Sequence, residues 1–157
     1  MERPYFPMFI DLTDRKIFVA GGGRIARRRI EAFVKFGADI HVAAPQVCPE
    51  IALLAGEGKI KTVLREYRSS DLDGMEFAVA ATDDREVNRA VYAECRKRGI
   101  PVNVADDKTL CDFYFPALVL TDDVVIGIGS GGESPSHVKE VRRNVQRLMN
   151  MAADPDE

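Results

Sequence analysis

The run of three glycines at positions 21–23 limits the fold of this chain more than any other feature. It directly follows a short apolar segment, residues 16–20, which has the composition of a buried strand. Behind it, residues 24–36 carry apolar side chains at helical spacing. A strand that ends in glycines and continues as a helix is the usual context of a dinucleotide-binding turn. The segment therefore predicts the first βαβ unit of a parallel sheet.

Within that turn, Gly21, Gly23 and Ala26 match the G-x-G-x-x-A form of the dinucleotide-binding motif. Gly21 permits a tight turn, Gly23 lets the backbone approach a pyrophosphate, and Ala26 keeps the helix close to the strand. The pyrophosphate would then be bound by free N–H groups at the positive end of the helix.

The segments that follow continue the alternation of strands and helices. Further strands are predicted at residues 39–44, 60–64, 77–81 and 101–105, and further helices at residues 49–57 and 85–98. This order predicts an α/β fold, a Rossmann-type parallel sheet with helices on both faces. We assign residues 1–112 to this nucleotide-binding domain.

After residue 107 the pattern changes. Residues 113–120 and 124–128 form two apolar runs joined by a short polar turn, which predicts an antiparallel hairpin. A second glycine turn, residues 130–135, precedes a helix predicted at residues 136–149, with Ser134 as its N-cap and Pro135 at its first position. This turn is suited to binding an anion, but it is equally well explained as a plain helix cap. We assign residues 113–157 to a small hairpin-plus-helix segment.

Two features of the predicted carboxyl edge of the sheet bear on chemistry. An acidic residue that would bind a ribose is missing near the end of the second strand, where residues 43–46 are AAPQ. Backbone groups or Gln46 would hold the ribose instead, and the preference between NAD and NADP stays open. Past the fifth strand, residues 103–107 are NVADD, in which Asp106 is placed to act as a general base beside a nicotinamide ring. The alternative is a polar turn, in which Asp is common.

Charge and cysteine content exclude several classes of protein. The formal net charge is -3 and the pI is about 5.5, so nucleic acid is not an expected partner. No apolar run approaches the roughly 20 residues of a membrane span. Cys48, Cys95 and Cys111 are too few and too widely spaced for a disulfide framework, and with His41 and His137 they form no metal-ligand spacing. We expect the reducing cytoplasm as the location.

Six motifs follow one another along the chain. They are PMFIDL from Pro7, VAGGGRIARRR from Val19, AATDD from Ala80 with Asn88 behind it, NVADD from Asn103, CDFYFPA from Cys111 and SGGESP from Ser130. In this order they resemble the precorrin-2 dehydrogenase and sirohydrochlorin ferrochelatase family, which forms the N-terminal module of siroheme synthase. The likeness covers roughly residues 5–150, and several independent motifs are more specific than a glycine turn alone.

The resemblance implies a reaction. Precorrin-2, a tetrapyrrole, would be oxidised to sirohydrochlorin, with NAD accepting a hydride. Some members of the family also insert ferrous iron to make siroheme, and the resemblance leaves open whether this chain does so. It also leaves open whether the product is used for siroheme, heme or cobalamin.

The resemblance further implies site residues. Asp106 corresponds to the aspartate that the family requires in its NVxD motif, with proton removal as its role. The implied cofactor-binding residues are Gly21, Gly22, Gly23, Arg24, Ile25, Pro45, Gln46, Thr82, Asp83, Asn103 and Val104. The implied substrate-binding residues of the second glycine turn are Ser130, Gly131, Gly132 and Ser134. Precorrin-2 carries many carboxylates, so the basic Arg27 and Arg28 are added to this set.

Members of the family usually continue with a further helical segment that completes a dimer, whereas this chain stops at Glu157. We expect a homodimer, in which either a shorter version suffices or another polypeptide supplies that part. The alternative function is a nucleotide-sensing regulatory Rossmann domain without catalytic activity. Such domains generally keep an acid at the end of the second strand, where Ala44 stands here, and they would leave NVADD and SGGESP unexplained.

Overall fold

Five parallel strands form the main sheet in the computed structural model, which describes residues 5–131 and 133–152. The strands are β1 (Lys16–Ala20), β2 (Asp39–Ala43), β3 (Lys61–Val63), β4 (Phe77–Ala80) and β5 (Val102–Val104). They lie in the order β3-β2-β1-β4-β5, and every neighbouring pair is parallel. The predicted Rossmann-type sheet is confirmed.

Three helices connect these strands: α1 (Arg24–Val34), α2 (Pro49–Gly56) and α3 (Arg85–Arg98). The crossover through α1 leads from β1 towards one edge of the sheet, and that through α3 leads from β4 towards the other. Because such crossovers are right-handed, α1 and α3 cover opposite faces. The strand order therefore switches from one side of the sheet to the other between β1 and β4. In sheets of this type the usual ligand site is at the carboxyl ends of the two strands that flank such a switch.

The hydrophobic core lies between the central strands and the helices on the two faces of the sheet. In β1, Ile17, Phe18 and Val19 are 0–1% exposed, as expected for a parallel strand that is covered on both faces. The buried apolar side chains that α1 and α3 contribute are Ala26, Ile30, Phe33, Val91 and Cys95. The sheet is therefore a rigid base for the loops at its carboxyl edge.

Both ends of α3 are defined by local chemistry. At its start, the Asp84 side chain accepts hydrogen bonds from the backbone N–H groups of Glu86 (2.8 Å) and Val87 (3.3 Å), which the helix itself cannot satisfy. At its end, Gly99 adopts a left-handed conformation with φ +69°, which glycine accommodates at little cost. The start of α3 is thereby fixed next to the carboxyl end of β4.

Several predicted elements are shorter in the structure. The first helix was predicted to residue 36 but ends at Val34. The strand predicted at residues 113–120 begins only at Ala117, because Pro116 has no N–H to donate to a ladder and the carbonyl of Phe113 accepts a hydrogen bond from the Asn103 side chain. Two short 3-10 helices, Ser69–Leu72 and Lys108–Leu110, were not predicted.

The described chain divides into two compact units, residues 10–113 and residues 5–9 with 114–152. The second, the small unit, contains the antiparallel pair β6 (Ala117–Leu120) and β7 (Val125–Ile128) and the helix α4 (Pro135–Ala152), as the hairpin and helix predictions required. Arg142 Nε of α4 donates to the Leu118 carbonyl of β6 at 2.9 Å. The sequence-based boundary had assigned residues 5–9 to the first domain. No helix among the described residues has both the length and the apolar character needed to cross a bilayer.

Candidate functional site

Gly21 lies where the carboxyl ends of three strands approach one another. Its N–H donates to the Ala43 carbonyl at the end of β2 (3.0 Å), and its φ of +123° is outside the range that other residues readily adopt. A Cβ at this position would overlap the carbonyl oxygen of Ala81, just past β4. Conformation and contact therefore both require glycine, and the turn is packed directly against the sheet.

Gly22 and Gly23 differ in what surrounds them. A Cβ on Gly22 would overlap the Gln46 carbonyl oxygen, and the Gly22 carbonyl accepts a hydrogen bond from Cys48 N–H at 2.8 Å. Gly23 is the N-cap of α1 with an ordinary φ of -90°, and no described atom lies within 4 Å of a Cβ built on it, its chain neighbours aside. Packing of the protein therefore does not explain Gly23, whereas a pyrophosphate at the start of α1 would fill this space.

The four arginines after the turn have different surroundings. Arg24 is exposed, as is the Ile25 side chain next to it. Arg27 is half-buried, and its Nη1 lies 2.6 Å from Glu50 Oε1 on α2. Arg28 is exposed on α1. Burial lowers the pKa of the Arg29 guanidinium. Of the two arginines predicted to bind substrate, Arg28 is thus the more accessible one.

The loop after β2 lies against the glycine turn. Ala44 is buried, whereas Pro45 and Gln46 are exposed. Because the Gln46 backbone contacts Gly22, its side chain starts from a point beside the turn. This position agrees with the predicted contact between Gln46 and the ribose, which stays a prediction.

Asp106 is the centre of a polar network at the carboxyl edge. Its Oδ1 accepts from Asn88 Nδ2 at 2.9 Å, its Oδ2 lies 3.2 Å from Arg85 Nε, and 31% of its side chain is exposed. Asn88 Oδ1 in turn accepts from the Thr82 backbone N–H at 3.1 Å. Asp83 is exposed beside Thr82. The structure thus joins the predicted base to the loop that follows β4.

Asn103 and Val104 are held by Cys111. The Asn103 side chain, 4% exposed, donates through Nδ2 to the Phe113 carbonyl at 2.8 Å. Cys111 Sγ lies 3.2 Å from both the N and the O of Val104, and burial raises the pKa of this thiol. Within the described part of the chain, Asn103 Oδ1 is buried without a hydrogen-bond partner. A ligand that donates a hydrogen bond would satisfy it.

The second glycine turn belongs to the small unit and is closed by its own groups. Ser130 Oγ accepts a hydrogen bond from the Ser134 N–H at 3.0 Å. Gly131 has φ +64°, and a Cβ on it would lie 2.8 Å from Cε2 of Tyr5. Gly132, also predicted to bind substrate, lies outside the described residues. The Ser130 hydroxyl thus closes the turn as an acceptor, and the predicted N-cap role of Ser134 stays a prediction.

These residues fit a nicotinamide dinucleotide. The open space before α1 suits a diphosphate, because the first N–H groups of a helix have no partners within the helix and favour negative charge. The unpaired Asn103 Oδ1 suits an amide N–H such as that of a nicotinamide carboxamide. Residues 5–131 and 133–152 contain no group of three or more His, Cys, Asp or Glu side chains that could hold a metal ion.

Sequence reasoning gave no role to Asn88, the residue that links Asp106 to Thr82. A signal was available. Asn88, Val91 and Cys95 have the spacing of a buried helix face, and a polar residue on such a face needs partners. The identity of those partners could not be read from the sequence, because Asp106 is 18 residues away.

Comparison with known proteins identifies relatives over most of the chain. A family model described as putative NAD(P)-binding matches residues 8–117. The probable multifunctional siroheme biosynthesis protein HemA of Ruminiclostridium josui is 39% identical over 144 residues, which are 91% of this chain and 28% of that protein. The siroheme synthase of Psychrobacter sp. (strain PRwf-1) is 37% identical, over 92% of this chain and 30% of that protein. The chain thus spans less than a third of the length of these curated relatives.

Among solved structures, SirC, a precorrin-2 dehydrogenase, superposes with a TM-score of 0.77 at 30% identity. The match covers 92% of this chain and 71% of that chain. The apo structure of D-lactate dehydrogenase from Escherichia coli matches with a TM-score of 0.50 at 13% identity, over 66% of this chain and 32% of that chain, and shows the fold alone.

Proposed function

This chain belongs to the family described as putative NAD(P)-binding and to the family of the precorrin-2 dehydrogenase SirC, and from that premise we propose that it oxidises precorrin-2 to sirohydrochlorin with NAD. One observation supports this most directly. Asp106 is connected through Asn88 to Thr82, and the residue before Thr82 is packed against the glycine turn at Gly21. A carboxylate and a dinucleotide-binding turn therefore share one edge of one sheet.

The reaction removes two hydrogens from the substrate, one as a hydride and one as a proton. NAD, when bound, accepts the hydride with both electrons of the broken C–H bond. Asp106 takes the proton, because a carboxylate that is held in a fixed position can act as a general base. Arg85 Nε lies 3.2 Å from Asp106 Oδ2 and would help to hold that carboxylate in place.

The turn at residues 21–23 would hold the pyrophosphate. Gly21 and Gly22 fix the backbone against the sheet and the loop after β2, which leaves Gly23 and the first N–H groups of α1 open. A helix N-terminus carries partial positive charge, and α1 has no acidic residue in its first turn to compete with an anion. Arg24, exposed at the first position of α1, would add a charged contact.

Substrate recognition would depend on basic groups, because precorrin-2 carries many carboxylates. Arg28 is exposed on α1, whereas Arg85, although 70% exposed, is already paired with Asp106. Arg27 is engaged by Glu50 and is a weaker candidate than the sequence suggested. Ser130, Gly131 and Ser134 remain proposed substrate-binding residues on the small unit, where the Ser130 hydroxyl can still donate to a carboxylate.

We also propose a homodimer formed through the small unit. A two-stranded hairpin has too little core to be stable without further packing, and this unit leaves large apolar side chains exposed. They are Tyr5, Phe6, Met8, Phe9, Val124, Val125 and Leu148. Light scattering after size exclusion would test this. A monomer at micromolar concentration would contradict it.

The remaining expectations concern location and iron. A cytoplasmic location agrees with the free thiols of Cys48, Cys95 and Cys111, since disulfides are rare in reducing compartments. Ferrous iron would be a substrate that enters the tetrapyrrole after oxidation. We propose Asp106 as the acceptor of the pyrrole protons that iron displaces.

An absorbance time course with precorrin-2 and NAD tests the proposed function, and added ferrous iron then tests chelation. Asp106→Ala should lower the oxidation rate by at least about 100-fold, because general base catalysis contributes that much. Full activity of this variant would exclude Asp106 as the base. Binding of NAD without binding or turnover of the tetrapyrrole would favour the alternative, a nucleotide-sensing domain.

A further inference from the structure

Asn88 is one of two polar residues that are buried in the described part of the chain, the other being Asn103. Only 1% of the surface of Asn88 is exposed, so each polar group of its amide needs a hydrogen-bond partner within the protein. All of them are satisfied. Oδ1 accepts from the Thr82 N–H (3.1 Å) and hydroxyl (2.8 Å), and Nδ2 donates to the Thr82 carbonyl (3.1 Å) and to Asp106 Oδ1 (2.9 Å).

The chemistry of these partners fixes the orientation of the amide. The Thr82 N–H can only donate and the Thr82 carbonyl can only accept, so Oδ1 must face the first and Nδ2 the second. The second hydrogen of Nδ2 then points at Asp106, whose Oδ1 must accept it. With Arg85 Nε donating to Oδ2, both oxygens of the Asp106 carboxylate are held by donors on α3.

The two partners of Asn88 follow neighbouring strands. Ala80 ends β4 and Val104 ends β5, and the two are paired in the sheet. Thr82 and Asp106 each come two residues later. One side chain of α3 thus fixes both loops at once. A leucine would offer no hydrogen bonds here, and an aspartate would lack the N–H groups that the Thr82 carbonyl and Asp106 receive.

We propose that Asn88 is a positioning residue of this site. It fixes the orientation of the Asp106 carboxylate that takes the substrate proton, and it holds the Thr82 backbone beside the cofactor. The first half rests on the proposed dehydrogenase function. The second half requires only that the chain binds NAD.

Asn88→Ala tests the proposal, with Val91→Ala as its matched control. Val91 is 0% exposed on the same face of α3 and has no polar group. We expect Asn88→Ala to lower kcat by between about 10- and 100-fold at saturating NAD, since small displacements of reacting groups cost that much. Val91→Ala should lower Tm by a similar amount but keep kcat within about threefold of the wild-type value. Equal losses of kcat in the two variants would overturn the proposal.

A double-mutant cycle asks whether Asn88 acts through Asp106. If it does, adding Asn88→Ala to Asp106→Ala should reduce kcat by less than about twofold, because the group that Asn88 positions is already gone. A purely structural effect would instead multiply the two losses. Full additivity would therefore overturn the positioning role.

Affinity for NAD, measured by calorimetric titration, needs no turnover and separates this inference from the proposed function. We expect Asn88→Ala to weaken NAD binding by about tenfold and Val91→Ala by less than about twofold. An inactive wild-type protein that shows this difference would contradict the proposed function and support the role of Asn88 at the cofactor. An active wild-type protein whose Asn88→Ala variant keeps both kcat and NAD affinity would overturn the inference alone.

Should Asn88→Ala fail to fold, Asn88→Asp provides the test. Its side chain has the same shape and keeps the acceptor towards the Thr82 N–H, but an oxygen replaces the donor towards Asp106. We expect kcat to fall by at least about tenfold, because two carboxylates would then face each other. A wild-type kcat in this variant would overturn the proposal.

Discussion

Arg27 and Glu50 form an ion pair, with 2.6 Å between Nη1 and Oε1, that links α1 to α2. Arg27 also approaches Glu31 one turn further along α1 (Nε to Oε1, 3.7 Å). An arginine with two acidic neighbours binds a substrate carboxylate less readily, because those contacts would have to be given up. The neighbouring Arg28 is exposed and has the same charge.

We therefore predict opposite effects for these two arginines. Arg28→Ala should raise the KM for precorrin-2 severalfold with little change in stability. Arg27→Ala should leave KM unchanged and lower the free energy of unfolding by no more than about 1 kcal/mol, the usual range for partly exposed ion pairs. Steady-state kinetics and urea unfolding of both variants would check this. An unchanged KM in Arg28→Ala would remove α1 from the proposed substrate site.

Gly23→Ala should separate cofactor binding from folding. No described atom would contact the added methyl group within the protein. The free energy of unfolding should therefore fall by at most about 1 kcal/mol, because alanine is a poorer N-cap residue than glycine. Affinity for NAD should nevertheless fall at least about tenfold, because the methyl group occupies the approach of the pyrophosphate.

Gly56→Ala is the matched control for that experiment. Gly56 ends α2 and also has open space around a built Cβ. Its variant should bind NAD like the wild-type protein in a calorimetric titration. Wild-type NAD affinity in Gly23→Ala would mean that the diphosphate does not lie at the start of α1.

The Arg65–Asp71 pair predicts how stability depends on pH. Two hydrogen bonds from Arg65, at 2.6 and 2.8 Å, lower the pKa of the Asp71 carboxyl below its usual value. A carboxyl whose pKa is lower in the folded state than in the unfolded state stabilises the fold above about pH 4. This stabilisation is lost as the pH falls through the folded-state pKa. Asp71→Asn should therefore lower the free energy of unfolding by about 1–2 kcal/mol at neutral pH.

That difference between wild type and Asp71→Asn should shrink as the pH falls below about 4, where Asp71 of the unfolded chain becomes protonated, and should be lost once the pH is below the folded-state pKa as well. Urea unfolding at a series of pH values measures it directly. Because Asp39 and Glu76 also have lowered pKa values and are present in both proteins, the comparison isolates Asp71. A difference that is constant with pH would mean that the pair contributes through packing alone.

Thiol labelling should distinguish the cysteines. Burial raises the pKa of Cys95 to about 12, and its side chain is 0% exposed, so both reactivity and access are low. Cys48 is only half-buried. With iodoacetamide at about pH 8, mass spectrometry should find Cys48 labelled first and Cys95 labelled only once urea unfolds the protein. Early labelling of Cys95 would indicate local opening of α3.

The sheet could be predicted from the sequence because its information is local. Each strand is a short apolar run, and glycine or proline follows several of them. Each strand could therefore be predicted without knowing which strand it pairs with. The glycine turn was recognisable for the same reason. Where the strand after Phe113 begins was predicted wrongly, because the Asn103 side chain engages the Phe113 carbonyl from outside the segment.

The candidate site was only partly predictable. Asp106 could be named because its position past a strand and its motif are both local features. The link through Asn88 and the pairing of Arg27 with Glu50 depend on side chains that are distant in sequence, with separations of 18 and 23 residues. Helix spacing shows which residues share a face, but it does not show which partners that face meets.

The small unit unites residues from both ends of the described chain. Tyr5 and Tyr114 contact each other through their rings, at a centroid distance of 4.7 Å, although 109 residues separate them. Residues 10–113, which lie between them, form a compact unit of their own. During synthesis this larger unit can fold on the ribosome as soon as it emerges, whereas residues 5–9 must wait until the hairpin and α4 have been translated. The cofactor-binding unit can therefore complete its fold before the small unit has all of its residues.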